Sequence, residues 1–387
     1  MGWPRPGKVP GNRRVAVRVA TERAAAPCLS VIKACRRARR FWFKLLSKAP
    51  PWFILSIMIL RPKRSRPHIV EPAHAEPFAL ATPVPSWLRR AARQPQTLED
   101  AAIMAGAAIG ALDAVVRRQE RWAGAWRQRL ALAAGAVTAR QAGRVEDEVP
   151  LRDAVLLTRP GDDVGPAGRM FLAWRRLATR PPEQLLTEQG IAEVLDDLGL
   201  ARGTVSDLSD DLRQLAGAEG VVAILGGALA SAERHGVGRA GAWFADALLA
   251  QRLGWGHAVP LLGTEAEPGA KLARARRPGT SLATGVERQP DLTKGLVSAH
   301  ARAALRAIDL SAELGRRADR LLAVAPKLRA RASDLVVEKL LSGDAIVASE
   351  KIAGMSDRGL RRLFDRLVDL GAVRELSGRT TFRIYGL

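Results

Sequence analysis

SDRGLRRLFDRLVDLGAVRELSGRTTFRIY, residues 356–385, decides how this chain is read. Ser356 is placed to cap a helix running to Leu370, and Gly371 supplies its stop. Along that helix Leu360, Leu363, Phe364 and Leu367 recur at i, i+3, i+4 and i+7, which builds one apolar stripe. Arg358, Arg361, Arg362, Asp365 and Asp369 fall on the opposite side. Two β-type runs follow, Ala372 to Leu376 and Thr380 to Tyr385, and their Ser377-Gly378-Arg379 connection is hairpin chemistry. Upstream, Ser333 to Leu341 reads as a short amphipathic helix and Ala348 to Ala353 as a second, closed by Gly354. Three helices and a hairpin in this order predict a winged helix-turn-helix over 327–387.

In such a module the polar face of the third helix enters the major groove. Arg358, Arg361, Arg362 and Arg366 would reach guanine edges or phosphates there, Arg379 at the wing tip would enter the minor groove, and Arg383 would touch the backbone. The expected partner is DNA. Asp357, Asp365 and Asp369 sit among these arginines and would repel phosphate, so the alternative is a protein-interaction scaffold whose winged helix docks a protein partner.

A length of 387 residues leaves room for two domains and a tail. Apolar residues at 47% are ample for a core, while aromatics at 5%, with Tyr385 the single tyrosine, point to helices. The net charge of +22 is unevenly placed: residues 1–66 carry +16 and residues 327–387 carry +4, which leaves +2 for everything between. Cys28 and Cys35 are the only cysteines, so nothing from 67 onward forms a disulfide or a thiolate metal site. That suits a reducing cytosol, and the expected localisation is cytoplasmic. The apolar run Ala49 to Leu60 is 12 residues long and begins with two prolines at 50 and 51. A spanning helix needs about 20, and no small-residue cleavage site follows, so neither export nor membrane insertion is expected.

Residues 1–66 hold Glu22 as their one acid and show no sustained period, and a disordered basic tail is expected. Three readings compete. Arg36, Arg37, Arg39 and Arg40 could hold phosphates as a nucleic-acid-binding arm, or, beside Phe41, Trp42 and Phe43, a membrane surface. The third, and preferred, is that translation starts downstream, for example at Met58. Residues 67–95 then read as a Pro-containing linker.

The body, 96–326, reads as an all-α bundle. Thr97 to Asp100 resembles a capping box and leads into Ala101 to Val116, where Ala102, Gly106, Gly110 and Ala114 repeat every fourth position, a smooth face for close helix contact. Trp126 to Val137 reads as a helix with Arg127 and Arg129 outward. A helix beginning near Pro166 carries Met170, Phe171, Trp174 and Leu177 opposite Arg175 and Arg176. Val221 to Ala232, Ala242 to Leu253, Leu292 to Ile308 and Ser311 to Ala325 are further helices, and Glu265 to Asp291 is a loop by composition.

Catalytic signals are sparse. The Arg159 to Arg169 loop, RPGDDVGPAGR, could approach a phosphate, and Asp162 and Asp163 could hold a cation. It lacks a P-loop ending and a preceding strand, so a helix connection with capping aspartates is the preferred reading. The histidines, His68, His74, His235, His257 and His300, show no zinc spacing, although His235 and His257 could converge. No nucleophile elbow exists. Asp113 and Asp246 each interrupt an apolar helix and are expected to bond an arginine or a helix end, because an unpaired buried carboxylate is costly. No cofactor, metal or catalytic residue is assigned; an enzyme using Arg140 to Arg176 is the weakest reading, and the body is expected to serve a homodimer or a protein partner.

Over roughly 75–387 the chain resembles a bacterial family defined by a domain of unknown function, number 1403. The resemblance rests on Trp126 to Leu132, Leu151 to Ala154, Pro160 to Asp163, Gly165 to Gly168 and Ser356 to Leu387. The stretches Arg361 to Val368 and Leu370 to Leu376 also look like the helix-turn-helix ending another uncharacterised family. The resemblance implies a shared C-terminal module on a helical body, with no known activity, cofactor or catalytic residue, and a tail before 67 peculiar to this gene.

Overall fold

The computed structural model describes residues 84–265 and 285–387 except Gln94, Thr204, Glu219 and Thr380, together with the isolated Gly2; for 285–291 only the backbone is described. The expected tail 1–66, with its apolar run and three readings, lies outside the described residues, as do 67–83 and 266–284. The described residues are mainly α. Among them the helices are α1 (Ser86–Ala91), α2 (Leu98–Arg117), α3 (Ala123–Gln141), α4 (Glu148–Leu156), α5 (Gly165–Thr179), α6 (Pro182–Leu185) and α7 (Glu188–Asp197). They continue as α8 (Val205–Ala216), α9 (Val221–Arg234), α10 (Gly241–Leu253), α11 (Gly285–Val324), α12 (Ser333–Ser342) and α13 (Asp357–Asp369). Three short strands, β1 (Ile346–Val347), β2 (Arg374–Glu375) and β3 (Ile384–Gly386), form one antiparallel sheet in the order β1-β3-β2. No described helix is long and apolar enough to cross a membrane.

Two helices are buried nearly all round and organise the rest. On α3 the run from Leu130 to Leu132 and that from Ala134 to Ala139 are buried, and on α10 every residue from Trp243 to Ala250 is. A Cβ on Gly135 of α3 would lie 3.0 Å from the Phe171 Cα, so the glycine lets α3 and α5 pack backbone to backbone. Buried tryptophans lock the layers, since each indole N–H needs an acceptor. Trp126 donates to the Ala307 carbonyl on α11 (2.9 Å), Trp243 to the Ala173 carbonyl on α5 (3.0 Å), and Trp174 to the Thr138 hydroxyl on α3 (2.8 Å).

Both helix-interrupting aspartates are partnered as expected. Asp113 accepts from Arg117 (2.7 Å) and from the Trp255 indole (2.8 Å). Asp246 accepts the backbone N–H groups of Leu261, Leu262 and Gly263 at 2.8, 3.0 and 3.3 Å, holding the 3-10 turn Leu262–Thr264 onto α10.

Several sequence expectations are corrected. The helices expected at 292–308 and 311–325 are one, α11, because nothing between Ile308 and Ser311 breaks it; it starts at Gly285, inside the expected loop. Arg127 and Arg129 do not face outward: Arg127 donates to the Ala178 carbonyl (3.0 Å), and Arg129 is drawn to the buried Asp344. Ser86–Ala91, inside the expected linker, is a helix whose Leu88 is buried. Helices α7 and α8 fill a stretch for which no element was expected.

The small-residue face of α2 is also not where helices meet. Ala102, Gly106, Gly110 and Ala114 are all exposed, while Ala101, Ala105, Ala108 and Leu112 make the buried face, and α2 packs on α11. A Cβ at Gly106 or Gly110 would meet nothing within 4 Å. Gly106→Ala and Gly110→Ala are therefore expected to stabilise the fold by up to about 1 kcal/mol each, through helix propensity alone. Urea midpoints measure this, and a loss of stability in both variants would show that the face is covered in solution.

Candidate nucleic-acid interface

The C-terminal segment starts with α12, whose Val336, Val337, Leu340 and Leu341 join the core. Strand β1 follows, but the second helix expected at Ala348 to Ala353 is absent. The Ala348 N–H donates to the Arg383 carbonyl (2.8 Å), extending the sheet pairing, and the Glu350 and Met355 N–H groups close turns onto Val347 and Ile352. These bonds leave no helical ladder. The next helix is as expected: the Ser356 hydroxyl accepts the Gly359 N–H (3.1 Å), Leu360, Leu363, Phe364 and Leu367 are buried, and Gly371 stops the helix with φ +64°. Phe364 stacks on Tyr385 of β3, with centroids 4.3 Å apart, which fixes α13 on the sheet.

Of the residues assigned to DNA contact, Arg358, Arg361, Arg362 and Arg366 are all on α13, and all four are exposed. None of the four has a carboxylate within salt-bridge distance among the described residues, whereas Asp357 beside them is taken by Lys351 (2.9 Å). Lys351 holds the Asp357 carboxyl below its ordinary pKa. Asp365 and Asp369 are exposed on the same polar side.

The hairpin differs from its expected form. Its strands are shorter, Arg374 pairs with Gly386 and Glu375 with Tyr385, and the connection is longer than three residues. The Leu376 N–H to Ile384 carbonyl bond (2.8 Å) closes it. Arg379 is exposed yet ion-paired with Asp153 of α4, and Arg383 lies 3.8 Å from Glu375. Thus α13 gathers four of the assigned arginines and Arg383 stands beside the adjoining strand, while Arg379 is engaged by the helical body. Phe382, which a strand reading would bury beside Ile384, has φ +55° and is 66% exposed.

A cleft of about 440 Å³ opens between the 348–349 turn, α13 and the hairpin, lined by Ser349, Arg361, Asp365, Phe382, Arg383 and Tyr385 among others. Sequence reasoning missed this cleft, and the one available signal was an aromatic residue between Thr381 and Arg383.

Sequence reasoning also missed what fastens the segment to the body. Asp344, after α12, is buried between Arg152 of α4 (Nε to Oδ2, 2.5 Å) and Arg129 of α3. Burial alone would raise its pKa, but the two guanidiniums hold the carboxyl below the usual range. The Arg317 guanidinium donates to the Leu387 carbonyl (3.1 Å). Part of the polar region 140–176 serves the fold: Arg152 and Asp153 bind the C-terminal segment, Asp147 caps α4 through the Val149 N–H (3.0 Å), and Asp163 accepts the Gly165 N–H (3.0 Å). His235 pairs with Asp211 (2.9 Å) between α8 and α9. No group of three metal-ligating side chains is gathered among the described residues.

A family model described as a protein of unknown function (DUF1403) matches residues 75–387. No curated protein matches the chain.

Proposed function

We propose that this chain, which belongs to the DUF1403 family, contacts DNA through a C-terminal winged helix-turn-helix in which α13 is the recognition helix. The observation that carries the reading is the set of α13 arginines 358, 361, 362 and 366 without carboxylate partners. Elsewhere guanidiniums are largely consumed by the fold: Arg176 by Glu193 and Asp197, Arg302 and Arg306 by Glu265, Arg89 by Asp309. Four cations outside any salt bridge on one helix suit a polyanion, whose phosphates release counterions when neutralised. The order helix, strand, turn, helix, strand, strand, with the last strand central in the sheet, supports the winged module. On this reading α13 makes the groove contact first, because Arg379 is ion-paired with Asp153 and would engage DNA only on displacing it.

The test is fluorescence anisotropy of the full chain on a labelled duplex between about 50 and 200 mM salt. Replacing the four arginines by alanine is expected to lower the slope of log affinity against log salt by about 0.9 for each phosphate no longer neutralised. Comparison of wild type with variant cancels the contribution of the basic residues 1–66. An unchanged slope would remove α13 from the interface.

Val368, Leu370 and Phe382 are exposed around the same surface and support a second reading, a protein partner docked on α13. Absence of any duplex binding, with a partner retained by wild type and released by the arginine variant, would favour it.

A further inference from the structure

The cleft beside α13 combines features that a plain phosphate-binding surface does not need. Phe382 is two-thirds exposed and holds a left-handed backbone conformation, unfavourable for a bulky side chain by about 1–2 kcal/mol. A glycine or asparagine there would relieve both the strain and the exposed ring. Strain kept together with exposure points from the outlier to a role. The ring lines the cleft with Arg361 and Arg383, and Tyr385, itself buried, supplies the inner part of the lining. A volume of about 440 Å³ falls near the small end of ligand pockets, about 300–1,000 Å³, suited to one planar group rather than a whole groove edge. Asp365 contributes the carboxylate in the lining, a hydrogen-bond acceptor.

We infer that this cleft takes a single unpaired nucleobase of bound DNA, stacked on Phe382, with Arg361 and Arg383 on the flanking phosphates and Asp365 accepting from an exocyclic amine. The inference rests on the DNA reading above and adds a ligand class to it. Every base has a π-face, so stacking supplies affinity, and the carboxylate selects. Cytosine offers an amine to an acid, whereas thymine presents a carbonyl at the same place. An unpaired cytosine is therefore preferred over an unpaired thymine.

The experiment measures, for the full-length chain, the ratio of affinities for a duplex carrying one bulged cytosine and for the same duplex fully paired. A bulged-thymine duplex is the third probe. Wild type is expected to favour the cytosine bulge roughly 10-fold, the size of one base–aromatic stack, and to favour the thymine bulge less. Phe382→Ala should bring the cytosine ratio close to one, Phe382→Trp should keep it, and Asp365→Asn should erase the difference between the two bulges. A wild-type ratio of one with measurable duplex binding overturns the stacking site alone. A ratio that survives Phe382→Ala does the same. No binding to any of the three duplexes overturns the DNA reading and this inference with it.

Discussion

Asp344→Ala is expected to lower stability by about 3–5 kcal/mol, more than any change on the exposed face of α13. The carboxylate sits between Arg129 and Arg152, and their side chains are 15% and 6% exposed. Removing it leaves two guanidiniums without their hydrogen-bonded carboxylate, and of the acids Glu148 is then the one still interacting with both. Asp344→Asn should cost nearly as much, since an amide keeps the shape but not the charge. The sign of the linkage follows from the lowered Asp344 pKa. The carboxylate's contribution is complete above the ordinary carboxylate range and is lost as pH falls through the lower folded value. Acid sensitivity should therefore be blunted in the variants. Urea denaturation at neutral and acidic pH measures both effects. Replacing all three residues by apolar ones of similar volume is expected to recover much of the loss. A cost under about 1 kcal/mol for Asp344→Ala, the scale of an exposed pair, would show that the cluster is solvated.

The second large effect is expected at Asp246. Asp246→Ala leaves three buried backbone N–H groups without an acceptor, at about 1–3 kcal/mol each, and frees the turn at Leu262–Thr264 from α10. Burial outweighs those three donors and pushes the Asp246 carboxyl up to about 7. A folded pKa above the unfolded one means that stability is greatest below the unfolded value and falls as pH rises through about 7. Because the unfolded carboxyl is already ionised there, the fall continues until the folded group has ionised as well. Between about pH 6 and 8 the wild type should lose about 1 kcal/mol from this group. His300, whose Nε2 lies 4.0 Å from Asp246, is pushed down to about 4 by burial and stays neutral across that range. Asp246→Asn cannot titrate, so its stability should be flatter from pH 6 to 8, although lower. An equally steep fall in the Asn variant would place the titrating group elsewhere.

Legibility followed the range of the interactions. The Thr97 and Ser356 caps, the apolar stripe of α13 and the α5 start at Pro166 are local patterns, and each stands where the residues place it. Helix α7 was legible too: Ile191, Val194, Leu195 and Leu198 repeat at i, i+3, i+4 and i+7 and are buried, but its charged intervening residues masked the stripe. The turn at Ala348 to Ala353 was not legible, because its fate depends on a hydrogen bond to Arg383 across the sheet. The Asp344 cluster joins residues 192 and 215 positions apart, and no spacing rule reaches that far. The arginine face of α13 was visible from periodicity, whereas the cleft beside it depends on the backbone reversal at Phe382.

Whether α13 meets DNA with Arg358, Arg361, Arg362 and Arg366 decides the functional reading. Arginine-selective modification with phenylglyoxal, followed residue by residue by mass spectrometry with and without a duplex, separates these four from the basic residues before 67. DNA is expected to protect the four α13 arginines and Arg383, while exposed arginines of the helical body such as Arg159 keep their reactivity. Undiminished modification of all four α13 arginines, under conditions where the chain binds DNA, would contradict a recognition role for this helix.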